Sequence, residues 1–383
     1  STIGMNPNLK PEKTSSIEAG FEAAFWDNRL YLDFTYYKTD SRNQILKLAT
    51  TAASGYTSQV RNAGHIRNRG YEIQLGAVPI QTSKGFRWNL DLNYGANSSK
   101  VVKLDDEGLI TSYQLYSSGI QILASVGEAY GTLFGTSYVR DANGNVVVDA
   151  NGLPKISTTN KTLGKFTPDW TGGISNTFSY RSLSLSFLID ASVGGSIFSN
   201  TNKTGKYTGV LANTLSGRDA EHGGLWYYTD AMGNNVRLPE SPSYSVSSDG
   251  LYYAQVNGQS TRVYQDGIMV EGVTESGSKN EEVVSAEKYY HRIYSIAEAN
   301  VYDASYVKLR EVALSYRLPR LWTQKLHLQE ASVTLTGRNL WTIYKSVPNI
   351  DPESALTTGN AQGVEAYSLP TTRSFGVNLS VKF

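Results

Sequence analysis

The stretch Arg373-Ser-Phe-Gly-Val-Asn-Leu-Ser-Val-Lys-Phe383 alternates without a break to its last residue. Phe375, Val377, Leu379, Val381 and Phe383 share one side of an extended strand, and Ser374, Gly376, Asn378, Ser380 and Lys382 share the other. One face is suited to hydrocarbon and the other to water. A soluble sheet uses the same period, so the rest of the chain must decide between a half-buried strand and one that separates lipid from a wet interior.

Working outward from that stretch, the same period recurs in pairs. Ile17, Ala19, Phe21, Ala23 and Phe25 alternate with polar or small neighbours up to a tight turn at Asp27-Asn28, and Leu30, Leu32, Phe34 and Tyr36 resume the apolar side opposite Asp33 and Thr35. A polar connection is expected through Arg61-Asn-Ala-Gly64. Tyr71, Ile73, Leu75 and Ala77 then alternate with Glu72 and Gln74, and after a turn at Gln81–Gly85 come Phe86, Trp88, Leu90, Leu92 and Tyr94, opposite Arg87, Asn89, Asp91 and Asn93. Further strands are read from Trp170 to Tyr180, from Leu183 to Val193, around Glu311–Leu318 and around Ser332–Thr336. The charges on the polar faces suit a water-filled lumen and would be poor neighbours in the dry core of a sandwich.

Composition narrows the choice. Tyr occurs 26 times and Gly 35 times in 383 residues, and Cys is absent, which favours strands and turns and excludes a disulfide framework and thiol chemistry. A formal charge of +1 gives no basic field for nucleic acid. No apolar run of about eighteen residues occurs, so a helical span is excluded, whereas a barrel averages to a hydrophilic sequence in keeping with the mean hydropathy of −0.34.

Short links at Asp27, Ser83, Arg181 and near Trp322 alternate with long ones near Thr51, Tyr130, Asn235 and Gly359. Antiparallel neighbours place every short link on one rim and every long link on the other, the arrangement of outer-membrane barrels with periplasmic turns and extracellular loops. The longest connection, from about Gly194 to Asp303, shows no sustained period and is expected to be structureless. The Asp and Asn residues of Arg140–Asn145 and Asp149–Gly152 lack the Gly and Glu positions of a calcium loop and read as Asn-Gly turns.

Six motifs carry a family resemblance: Asn6-Pro-Asn-Leu-Lys-Pro-Glu12, Asn68-Arg-Gly-Tyr-Glu72, Thr167-Pro-Asp-Trp-Thr-Gly-Gly173, Tyr302-Asp-Ala-Ser-Tyr-Val-Lys-Leu-Arg-Glu311, Gly337-Arg-Asn-Leu-Trp341 and Pro370-Thr-Thr-Arg373. In this order they resemble the C-terminal half of a SusC/RagA-type TonB-dependent transporter. The resemblance implies an all-β fold, the C-terminal part of a 22-stranded antiparallel transmembrane barrel with long extracellular loops in the outer membrane of a Gram-negative bacterium. Residues 1–383 are then expected to be part of the barrel domain, with the plug and front strands lying outside them and the first and last strands, near Ile17 and Val377, left as open edges. The implied function is TonB-dependent import of a glycan or oligopeptide. The implied partners are a SusD-type surface lipoprotein, TonB through a segment outside this chain, outer-membrane lipid and the barrel-assembly machinery, for which the terminal Phe383 resembles the sorting signal.

Catalytic residues, metals and cofactors are not expected: His65, His222, His291 and His327 show no ligand spacing, and neither a Gly-x-Ser-x-Gly elbow nor a His-Glu-x-x-His motif occurs. A passive porin and an outer-membrane barrel hydrolase are the alternatives. Candidate ligand contacts are Arg218, Asp219, Trp226, Tyr227 and Tyr228, where aromatic faces and charges suit sugar rings or peptide side chains; the competing reading is that Trp226 to Tyr228 pack the loop against itself or a lid. Tyr113, Tyr116, Tyr130 and Tyr138 are candidates for an interface girdle.

Overall fold

The structure is a computed structural model and describes residues 3–49, 55–56, 58–325 and 327–383. Nine strands form one antiparallel wall in chain order: β1 Lys13–Phe25, β2 Leu30–Ala49, β3 Ser58–Gln81, β4 Phe86–Lys103, β5 Trp170–Tyr180, β6 Leu183–Val193, β7 Tyr306–Arg317, β8 Glu330–Lys345 and β9 Ser374–Lys382. A short piece, Ile3–Gly4, adds a parallel pairing to the start of β3. Among the described residues no ladder joins β1 to β9, so the wall has the two edges expected near Ile17 and Val377.

Register shows why the alternation is so regular. One transverse row reads Ala23, Leu32, Leu75, Leu92, Ile174, Ile189, Leu309 and Trp341 from β1 to β8. The neighbouring row on the other face reads Asp33, Gln74, Asn93, Gly173, Asp190, Lys308 and Thr342. Leu30, Leu32, Phe34, Leu90, Leu92, Leu185, Phe187 and Leu379 all lie on the first face, and Asp33, Asp91, Ser186 and Asn378 on the second. Asn176 interrupts the apolar face, and its side-chain oxygen accepts a hydrogen bond of 3.0 Å from the Trp88 indole, which satisfies it without water.

Aromatic rings border the apolar band at both ends. Trp88 stacks on Phe178 at 5.6 Å near the short links, while Tyr94 stacks on Tyr71 at 5.9 Å and on Trp170 at 5.4 Å near the long ones. Between these borders β5 has 11 residues, matching the roughly 9–11 that a tilted strand needs to cross hydrocarbon.

The links at 26–29, 82–85 and 181–182 are short, and 318–329 holds only the small helix Arg320–Lys325. The excursions 104–169, 194–305 and 346–373 leave from the opposite rim. The link near Thr51 lies outside the described residues. Arg61–Gly64 corrects the expectation of a polar connection: it is part of β3 and pairs with β2 through Gln44, Ile45 and Leu46. Both strands climb past the aromatic border, where neither face needs hydrocarbon and the alternation that marks a strand is lost while the ladder continues.

The longest excursion is also folded, against the expectation of a structureless loop. It contains strands at Leu225–Thr229, Asn235–Arg237, Tyr244–Val246, Tyr252–Val256, Gln259–Ile268 and Val284–Ser285 in one sheet. Two helices flank it, α1 Asn200–Thr208 and α2 Ala286–Tyr294. The 104–169 excursion supplies a second sheet from Ser112–Ser117, Gln121–Ser125, Tyr130–Gly135 and Lys161–Lys165. Ile122, Leu133, Phe198, Ala297 and Val364 from three excursions share one core. Tyr113, Tyr116 and Tyr130 pack into this layer and its neighbour, and Tyr138 lines a cavity within it, so these four rings belong to the loop domain and the borders of the band are made by wall residues.

Candidate ligand site in the loop domain

The excursions 104–169 and 194–305 are clamped together by charge. Arg292 of α2 donates to the Asp149 carboxylate at 2.9 Å, and Glu298 pairs with Arg140 at 2.9 Å and Lys161 at 3.6 Å. Val147 and Val273 form a parallel bridge between the same two excursions. Asp141 and Asp149 each accept backbone N–H groups from residues two and four ahead, before a glycine at positive φ, which makes them turns as expected. Asp230 builds a third turn of this kind. Among the described residues no cluster of potential metal ligands occurs.

The excursion 346–373 folds onto the polar face of the wall. An extra residue in β7 at Arg310, opposite Leu188 and Ile189 of β6, is a bulge that turns its guanidinium toward Asp190 at 2.8 Å and Glu353. Lys308 reaches Asp351 at 2.6 Å and Glu353 at 2.5 Å with almost no exposure. Burial works to raise the Asp351 pKa, but hydrogen bonds from Lys308 and Thr371 outweigh it and hold the carboxyl down at about 2. Further along, the fully buried Glu365 accepts from the Ser199 hydroxyl at 2.7 Å, the Thr201 hydroxyl at 2.6 Å and the Ser368 N–H at 3.1 Å.

A cavity of about 700 Å³ opens between α2, the 213–217 segment, the 267–271 segment and the 138–154 hairpins. Tyr138, Met269, Tyr289, Tyr290 and Ile293 give it aromatic and apolar walls, with Lys206 on its floor. The Lys206 amino group donates to Ala299 O at 2.7 Å and Asn300 Oδ1 at 3.3 Å, and burial pushes its pKa down to about 8. A smaller cavity of about 310 Å³ shares Lys206 and Tyr290 and adds Tyr207, Arg218, Asp266 and His291. The pair can hold an elongated ligand with ring or aliphatic faces and a few polar groups.

The five candidate contacts fall on both sides of this arrangement. Arg218 lines the smaller cavity and donates to Gly209 O at 2.6 Å and Thr214 Oγ1 at 2.8 Å. Asp219 caps the turn Ala220–His222 and accepts from His222 N at 2.9 Å. Trp226 is buried against Tyr244 and Tyr252, and Tyr228 packs in the same cluster. Tyr227 stacks on Tyr264 at 5.0 Å and donates its hydroxyl to Asp266 at 3.1 Å; burial raises the pKa of that carboxyl. Phe383 lies exposed just beyond β9. Lys206, Tyr289 and Tyr290 escaped the sequence reading although the helices that carry them are marked, by the N-caps Ser199 and Ser285 and the left-handed Gly209.

Residues 1–210 match the family model described as TonB dependent receptor-like, beta-barrel. The chain belongs to this family. TonB-dependent receptor P3 of Formosa agariphila is 27% identical over 99% of this chain and 35% of its own length. TonB-dependent receptor SusC of Bacteroides thetaiotaomicron is 25% identical over 99% of this chain and 32% of its own length. The RagAB peptide transporter superimposes with a TM-score of 0.62 at 20% identity, over 99% of this chain and 36% of that one, which shows a shared fold. The chain thus spans about a third of the length of the curated relatives it matches. Among the described residues no helix is long and apolar enough to cross a membrane.

Proposed function

We propose that this chain serves in TonB-coupled import of a nutrient across the outer membrane of a Gram-negative bacterium, as the C-terminal part of a larger barrel. The observation that carries the reading is a lipid-suited wall whose polar face is roofed by folded excursions and clasped by the Lys308–Asp351–Glu353–Arg310 network. A porin needs no such roof. The cavities floored by Lys206 and edged by Arg218 are the ligand-facing part in this reading, with Asp219, Trp226, Tyr227 and Tyr228 fixing the loop around them.

The family name supports TonB coupling, the RagAB peptide transporter supports an oligopeptide cargo, and the resemblance of the six motifs adds a glycan as the other cargo and a SusD-type lipoprotein as lid. Uptake of labelled oligosaccharides and oligopeptides by cells with and without the gene tests the reading. The account expects uptake that a protonophore and loss of TonB both abolish. Uptake indifferent to both would make the protein a porin, and hydrolysis by the purified protein would make it an enzyme.

A further inference from the structure

The apolar face of the wall changes character one step above its upper aromatic border. Register sets Tyr36 opposite Tyr71 and Tyr71 opposite Ala96. Two residues further up, on the same face, stand Lys38, Arg69 and Ser98; two more bring Asp40, Arg67 and Lys100. On a strand tilted by about 45°, two residues climb roughly 5 Å, which moves from the depth of interfacial tyrosines into the headgroup layer.

Asp40 is already engaged, accepting from His65 at 2.5 Å and Arg67 at 2.9 Å. Lys38, Arg69 and Lys100 have no carboxylate within ion-pair distance among the described residues. A cavity of about 460 Å³ sits at this border, with Tyr36 and Tyr71 on one side and Arg69, Ser98 and Lys165 on the other. Its one acid, Asp169, is neutralised by Lys165 at 2.7 Å. Cations without counter-ions therefore meet tyrosine faces that run down into Ile73, Leu92 and the rest of the apolar band.

We propose that this border binds the phosphate of an outer-leaflet lipid. Arg69 presents a planar fork to two phosphate oxygens, Lys38 adds a point charge from the neighbouring strand, and Lys100 flanks them. The acyl chains lie along Ile73 and Leu92. A lipid, rather than a free anion, is the occupant because the lower half of the site is aromatic and continuous with the apolar face.

The proposal rests on this face meeting the membrane, and the experiment separates the two ideas. Purified full-length receptor is exposed to phosphorylated lipid A and to its dephosphorylated form, and the lipid retained is counted by native mass spectrometry. Folding is read independently by resistance to heat in gel electrophoresis. The wild type is expected to prefer the phosphorylated lipid by about tenfold or more, and K38Q/R69Q to lose that preference while remaining heat-resistant. A control at the opposite rim, K84Q/R181Q, keeps it. A heat-resistant wild type with no preference, a preference that survives K38Q/R69Q, or complete displacement of the lipid by millimolar inorganic phosphate overturns the site. A receptor that never becomes heat-resistant in lipid overturns the membrane-facing wall along with it.

Discussion

The wall and the loop domain are built on opposite rules. In the wall, every second residue points to one face, and the ladder turns a one-dimensional alternation into rows such as Leu32, Leu75, Leu92, Ile174 and Ile189. In the loop domain, Phe198, Ile122, Leu133 and Val364 come from three excursions separated by up to hundreds of residues, and only their meeting makes a core. The wall gains order from local period and the loop domain from distant contacts. That difference predicts two cooperative units within one chain.

The largest effect should come from the loop core. Phe198→Ala empties a fully buried site and should cost about 3–5 kcal/mol, read as new protease cuts between 104 and 305 while the wall keeps its heat resistance. If wall and loops lose protection together, the two-unit comparison is wrong. Next is Ile189→Arg, in the middle row of the apolar face, expected to cost about 2–4 kcal/mol by denaturant titration in lipid. Leu185→Arg should cost only about 0–1 kcal/mol, because Leu185 lies close to the 181–182 turn in the row of Phe178 and Leu314, at the lower border.

Glu365→Ala strips the partner from the Ser199 and Thr201 hydroxyls and should weaken only the loop domain, by about 1–3 kcal/mol. Acidification probes the third excursion. Asp351, ordinarily near 3.8, is held at about 2 in the fold, so its share of stability is complete above 3.8 and disappears as pH falls through 2. Pepsin cuts within 346–373 should appear between pH 4 and pH 2, and Asp351→Asn should show them already at pH 4.

The sequence made the wall legible for a physical reason. Lipid on one side and water on the other force a period of two onto Phe86–Tyr94 and Leu183–Val193, and links of two to four residues fix the hairpins. The period fades at Arg61–Gly64 because β3 there has left the membrane, and at Arg310 because a bulge adds a residue. The loop sheets were illegible since Tyr252–Val256 spans only five residues and Gln259–Ile268 carries polar side chains on both faces, Gln265 on one and Arg262 and Asp266 on the other. Within the candidate site, Arg218 was readable as a charge in an aromatic loop. Lys206 was not, because what singles it out is its burial beside Ala299 and Asn300, nearly a hundred residues away.

The central claim is that the two faces of the wall meet lipid and water. The chain contains no cysteine, so once any cysteine outside it is replaced by serine, single cysteines placed at 89 to 94 of β4 in the full-length protein can be labelled with a nitroxide. Collision with oxygen, which concentrates in lipid, and with a water-soluble nickel chelate then reports each face. The account predicts oxygen maxima at Leu90, Leu92 and Tyr94 and nickel maxima at Asn89, Asp91 and Asn93, a clean period of two. Equal access at all six positions, or oxygen maxima at Asn89, Asp91 and Asn93, would contradict it.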